Sequence, residues 1–167
     1  MTIRRATVHD AALLARLHRH VHDAHVQAEP DLYRVAPDEQ VLGFHRERLT
    51  SPDVVVLLDE AEGGEAAGYV VCQRVRREAS ALTSAREVLL VAELGVAPGR
   101  RRAGLGRALM RAAEALAREL GLSRVELDVR AWNVGARAFY EALGYAPAQL
   151  RLGRAVPGSG PETSTPR

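Results

Sequence analysis

The sequence predicts an α/β fold: a mixed, largely antiparallel central sheet with helices on both faces. Three observations predict it. Apolar residues recur at steps of three and four in the first and middle thirds of the chain, as in helices with one buried face. Elsewhere the period falls to two in β-branched runs bounded by turn residues, as in strands. The elements follow the order βααβββαβαβ, so hairpin-linked strands come early and a strand–helix–strand unit comes late.

Thr2 to Val8 reads as a short strand. Thr7, with Asp10 three positions on, makes a near capping box that opens a helix running to Ala28. Leu14, Leu17, Val21 and Ala24 form its apolar stripe, and Pro30 ends it. A weaker helix begins near Pro37-Asp38, with Val41, Leu42, His45 and Leu49 on one side. The period then changes. Val54 to Leu58 and Ala67 to Arg76 read as strands joined by the turn residues Glu62 to Glu65. Glu87 to Val96 is another buried strand, and it runs straight into a loop from Pro98 to Gly106. Leu105, Leu109, Ala112, Leu116 and Leu120 mark a strong amphipathic helix, with Gly121 at its C-terminal stop. Arg124 to Val129 alternates as a strand, Asn133 caps a helix ending before Gly144, and Tyr145 to Leu152 reads as a last strand.

The chain has 167 residues, which fits one domain, expected over residues 1–152. Residues 153–167 hold Gly, Pro, Ser and Thr with Val156 as the one large apolar residue, and are expected to be a disordered tail. The 23 basic and 21 acidic residues give a net charge of only +2, too weak a field to point to nucleic acid. No basic residue is Lys, which excludes a Walker-type phosphate loop and a Schiff-base lysine. The single cysteine, Cys72, excludes an intrachain disulfide and a multi-cysteine zinc site. Its setting in a strand beside Val71 marks it as core. No apolar run is long enough to span a membrane, and Met1 to Asp10 lack a signal-peptide core, so a cytoplasmic location is expected.

The most informative segment is Val96 to Arg107, where a buried strand meets an amphipathic helix. The first helical N–H groups have no intrahelical partners, and the helix dipole adds positive potential there. Gly104 and Gly106 let an anion approach the backbone, and Arg100, Arg101, Arg102 and Arg107 add formal charge, which together suit a diphosphate. The glycine spacing fits neither the dinucleotide fingerprint nor a P-loop. Glu93-Leu94-Gly95-Val96-Ala97-Pro98, followed by Arg101-Arg102-Ala103-Gly104-Leu105-Gly106, resembles motif A of the GCN5-related N-acetyltransferases (GNAT), [Gln/Arg]-x-x-Gly-x-[Gly/Ala] after a strand ending in Val-x-Pro. Asn133-x-x-Ala136-x-x-Phe139-Tyr140-Glu141-x-Leu143-Gly144-Tyr145 resembles the second signature of that family. Each motif alone matches by chance; both together, with one strand between them, are specific, and the resemblance covers residues 2–152.

The resemblance implies a sheet with a parallel strand pair splayed at the cofactor site, and acetyl-CoA as donor. Leu94, Gly95 and Val96 then line the pantetheine arm through a bulged strand. Arg101, Arg102, Ala103, Gly104, Leu105, Gly106 and Arg107 hold the pyrophosphate, and Asn133 meets the pantetheine or acetyl region. It also implies direct transfer to a primary amine in a ternary complex. The expected acceptor is a small molecule, with a protein or peptide amine, or a CoA-binding module without catalysis, as alternatives.

Acetyl transfer needs a base for the amine, a polarised carbonyl and a proton for the departing thiolate. Tyr140 fits the acid by its match to the family tyrosine. Glu93, a carboxylate inside an apolar strand, is the candidate base, with burial expected to raise its pKa toward neutrality; Asp128 is the weaker alternative. His18, His22 and His25 share a helix face, a pattern better suited to lining the acceptor cleft than to holding a metal, and no metal is expected. His25, Glu29 and Tyr33 are the candidate acceptor-binding residues. The expected partner is the amine, with a homodimer left open, and with no nucleic acid and no membrane.

Overall fold

A computed structural model describes residues 2–60 and 66–154. The expected turn at Glu62 to Glu65 and the tail from residue 155 onward lie outside these. Two compact units are present, Met1–Asn133 and Val134–Arg167.

The first unit contains β1 (Thr2–Arg5), α1 (Ala11–Ala28), α2 (Asp38–Thr50), β2 (Val54–Glu60), β3 (Gly68–Arg77), β4 (Arg86–Val96), α3 (Leu105–Glu119) and β5 (Val125–Leu127). The sheet order is β1-β2-β3-β4-β5. Every neighbouring pair is antiparallel except β4 and β5, which are parallel. The capping box forms: the Thr7 amide donates to Asp10 Oδ2 at 2.8 Å, and the chain passes through a single 3₁₀ turn, Val8–Asp10, before α1. Successive strand residues face opposite sides, so β3 divides the core in two. Tyr69 and Val71 pack with Leu14 and Leu17 of α1 and with Val56 and Leu58 of β2. On the other face α3 presses so close that a Cβ at Gly68 would meet Leu105 Cδ2 at 3.0 Å and Leu109 Cδ1 at 3.1 Å. Cys72 is buried between these layers, and burial pushes its thiol up to about 12, which suits packing and not chemistry.

Helix α3 ends in a Schellman motif. Gly121 has a φ of +72°, the Leu122 amide reaches the Ala117 carbonyl at 2.8 Å, and the Gly121 amide reaches Arg118 at 3.1 Å. The second unit contains α4 (Val134–Glu141) and closes it the same way. Gly144 has a φ of +90°, and the Tyr145 amide bonds the Tyr140 carbonyl at 3.0 Å.

One expected strand is missing. Residues 145–152 form no ladder. Pro147 has no N–H to give, and Leu150 and Leu152 are 79% and 92% exposed, so the alternating pattern there has no apolar layer to face. Strand β5 is also shorter than the expected Arg124 to Val129.

Candidate active site

The centre of the first unit is a bulge in β4. Val71 pairs with Glu93, but the next residue, Cys72, pairs with Val91, so Ala92 is the extra residue. The insertion reverses the alternation of the strand. Glu93 therefore joins the face of Tyr69 and Val71, under α1 and α2, instead of the face of Leu89 and Val91. It also reverses which amides point to which edge. The Leu89 amide bonds Arg124, on the β5 side, at 3.0 Å, whereas beyond the bulge the Ala97 amide bonds Ala67, on the β3 side, at 2.8 Å. Alternation then turns the N–H and C=O of Leu94 and Val96 away from β3. Pairing with β5 covers only Leu89 to Val91, so the far half of β4 has an open edge where the two parallel strands part. Gly95 faces the Tyr69 ring so closely that a Cβ there would stand 2.3 Å from Tyr69 Cε1.

The open edge leads to the helix start. A 3₁₀ turn, Pro98–Arg100, is followed by Arg102 with a φ of 61° and Gly104 with a φ of +83°. The first α3 bond runs from the Ala108 amide to the Gly104 carbonyl at 3.0 Å. The amides of Leu105, Gly106 and Arg107 thus lie at a free helix N-terminus. Arg101, Arg102, Ala103 and Gly104 are exposed, while Leu105 is buried. Arg101 Nε reaches back to the Val96 carbonyl at 3.1 Å, so its side chain lies along the open edge.

Glu93 corrects the sequence expectation. Its side chain is 11% exposed, and burial alone would raise its pKa. Three donors outweigh burial: His18 Nδ1 at 2.5 Å from Oε1, Arg48 Nη1 at 2.7 Å from Oε2, and the Tyr69 hydroxyl on Oε1. The bond from His18 and the charges of His18 and Arg48 hold the carboxyl at about 2, not near neutrality. Burial first, and then Glu93, raise the Tyr69 phenol well above its usual value. Arg48, Tyr69 and His18 as partners of Glu93 were not foreseen. The one available signal was an aromatic residue opposite a glycine on paired strands. His45, one turn before Arg48, is fully buried with both ring nitrogens unpartnered, and burial holds its pKa down to about 4.

The candidate acceptor residues do converge. His25 and Tyr33 rings lie 4.8 Å apart, and Trp132 stands edge-on to His25 at 5.3 Å. Trp132 Nε1 donates to Glu29 Oε2 at 2.8 Å, and Arg130 Nη2 donates to the Tyr33 hydroxyl at 2.8 Å. Burial, then the Arg130 charge, lowers the His25 pKa. Trp132 and Arg130 are additions to the predicted set. Asp128 is exposed just beyond β5, and Asn133 directly precedes α4. Among the described residues, no three His, Cys, Asp or Glu side chains are grouped to hold a metal ion. No described helix is long and apolar enough to cross a membrane.

In the second unit the Tyr140 ring lies 5.2 Å from Phe139 and 6.0 Å from Tyr145. Burial raises its phenol to about 12, so it stays protonated at neutral pH.

A family model described as Acetyltransferase (GNAT) family matches residues 16–145. The chain belongs to the GNAT acetyltransferase family. Mycothiol acetyltransferase from Beutenbergia cavernae is 44% identical over 64 residues; the match spans 38% of this chain but only 22% of that protein. Among solved structures, a tetramutant of the BH1408 protein from Bacillus halodurans is 28% identical with a TM-score of 0.88, covering 93% of this chain and all of that one. Aminoglycoside N-acetyltransferase AAC(6')-Iy, solved in complex with CoA, has a TM-score of 0.73 over 93% of this chain and 94% of that one. At 17% identity that last likeness concerns the GNAT fold alone.

Proposed function

We propose that this GNAT protein transfers the acetyl group of acetyl-CoA to a primary amine, by direct attack in a ternary complex, and that the acceptor is a small molecule. The observation that carries the reading is the open edge of β4 running into the free N-terminus of α3. Leu94 offers an amide and a carbonyl to an extended pantetheine arm, as a neighbouring strand would, and Val96, whose carbonyl holds Arg101, adds its amide at the open edge. The arm then ends at exposed amides where Gly104 leaves room for a diphosphate, with Arg101, Arg102 and Arg107 adding charge. Gly95 acts indirectly, by making room for Tyr69, and Asn133 is assigned to the pantetheine or acetyl region on the family motif. A Val96 amide facing the open edge suits polarisation of the thioester carbonyl.

Tyr140 supplies the proton for the leaving sulfur, a role its raised pKa supports. Bond changes balance. The amine nitrogen forms the C–N bond, the C–S bond breaks, the thiolate takes the Tyr140 proton, and the nitrogen returns a proton to Tyr140. His25, Glu29 and Tyr33, with Trp132, are proposed as the acceptor wall. A small-molecule acceptor is supported by the partial match to mycothiol acetyltransferase. The test is calorimetric titration of acetyl-CoA into the protein. Saturable one-to-one binding, weakened about 30-fold in Gly104→Val, is expected; no binding overturns the reading.

A further inference from the structure

Amine acetylation starts from an ammonium ion, which must lose a proton before it can attack. Glu93 is poorly suited to take it. Both its oxygens are engaged, Oε1 by His18 and Tyr69 and Oε2 by Arg48. A proton on that carboxyl would break the ion pair with Arg48 inside a site where unpaired charge is costly. His18 is placed differently. Its side chain is 16% exposed, and its ring is held by Glu93 at Nδ1, by the stacked His22 ring at 5.3 Å and by the His45 edge at 5.0 Å. A carboxylate bonded to one imidazole nitrogen keeps the proton there and leaves the lone pair on the other.

We propose that His18, oriented through Nδ1 by Glu93, takes up at Nε2 the proton that the acceptor ammonium loses, directly or through one water. The proposal rests on the acetyltransferase reading and assigns the base within it. Glu93 becomes a positioning residue. His22 from α1 and His45 from α2 stand against the His18 ring, and Arg48 from α2 and Tyr69 from β3 donate to the Glu93 carboxylate of β4 that holds it. Burial keeps His45 neutral near pH 7, so it adds no competing charge. Tyr69 stays protonated and only donates. The proton count closes: His18 takes one proton from the ammonium and releases it to solvent after each turnover. The second proton leaves the nitrogen as the C–N bond forms and replaces the one given to the thiolate.

The histidine face of α1 gains a purpose on this account. His18 stands in a row of rings that runs from the buried His45 through His18, His22 and Tyr33 to His25 and Trp132.

The test compares wild type, His18→Gln and Glu93→Gln. Rates are measured with spermidine, kanamycin and glycinamide as probes that are ammonium ions at neutral pH. Hydroxylamine is the probe that is already unprotonated there. His18→Gln is expected to lose about 100-fold in kcat/KM with the ammonium probes. Its loss with hydroxylamine should be at least about tenfold smaller, with acetyl-CoA binding retained. Glu93→Gln should lose more rate with the ammonium probes than with hydroxylamine, because His18 loses the carboxylate that orients its ring. Should His18→Gln fail to fold, wild type labelled with ¹⁵N-histidine gives the same decision: the His18 ring is expected as the Nδ1–H tautomer, and a proton on Nε2 overturns the proposal. A wild type active with the ammonium probes and matched by His18→Gln at every pH also overturns it, and leaves the acetyltransferase reading standing. A wild type that acetylates no probe refutes that reading and the role of His18 with it.

Discussion

His45 makes the first unit sensitive to mild acid. Its ring is fully buried, neither nitrogen meets a partner, and burial holds its pKa at about 4 against an ordinary 6.5. The His18 and Arg48 charges act in the same direction and Glu93 against it. Between those two pH values the unfolded chain binds a proton that the folded chain refuses, so stability falls as pH falls. The contribution is intact above about 6.5 and lost progressively toward 4. Each pH unit in that window is worth about 1.4 kcal/mol, which gives about 2 kcal/mol at pH 5 relative to pH 8. The perturbation is His45→Phe, which keeps a ring and removes the titration. Urea unfolding of both proteins at pH 8 and pH 5 is the assay. Any fixed packing cost of the new ring is the same at both pH values and cancels. The variant should gain about 2 kcal/mol on wild type between pH 8 and pH 5. Equal pH dependence in the two proteins would refute the reasoning, and would mean that His45 reaches solvent or a partner that stabilises its charge.

Three further outcomes follow from the geometry. Gly104→Val forces a branched residue into a φ of +83° and covers the amides at the start of α3; acetyl-CoA should bind about 30-fold more weakly, about 2 kcal/mol, by calorimetry on protein whose helicity is checked by circular dichroism. Tyr140→Phe keeps the ring and removes the donor, so turnover should fall about 10- to 1,000-fold in a CoA-release assay while acetyl-CoA affinity holds. Gly95→Ala drives a Cβ into the Tyr69 ring and should cost about 1–3 kcal/mol in urea unfolding, with a rate loss as Tyr69 drags Glu93 out of place.

Local physics was legible in the sequence. The Thr7–Asp10 box, the Pro37 start of α2 and the glycine stops at Gly121 and Gly144 each follow from a few neighbouring residues, and the structure has them all. The helix start after Gly104 was legible for the same reason, from the apolar stripe that begins at Leu105. What depends on register was not. Whether Glu93 faces α1 or α3 turns on one bulged residue, Ala92, which no local pattern marks. The partners of Glu93 come from three other elements, so a reading of its strand alone gave burial without its counter-charges and the wrong direction for its pKa. Tyr145 to Leu152 failed from the opposite side. Its alternation is real, but alternation makes a strand only where a sheet face and an edge receive it.

The most direct test of the central claim is thiol release from acetyl-CoA by the full chain, followed with and without primary amines of several classes: polyamines, aminoglycosides, amino acids and short peptides. The account predicts CoA release that depends on an amine, saturates with it and leaves an equal amount of N-acetylated product. Release that ignores every amine, or none above the rate without protein, would contradict it.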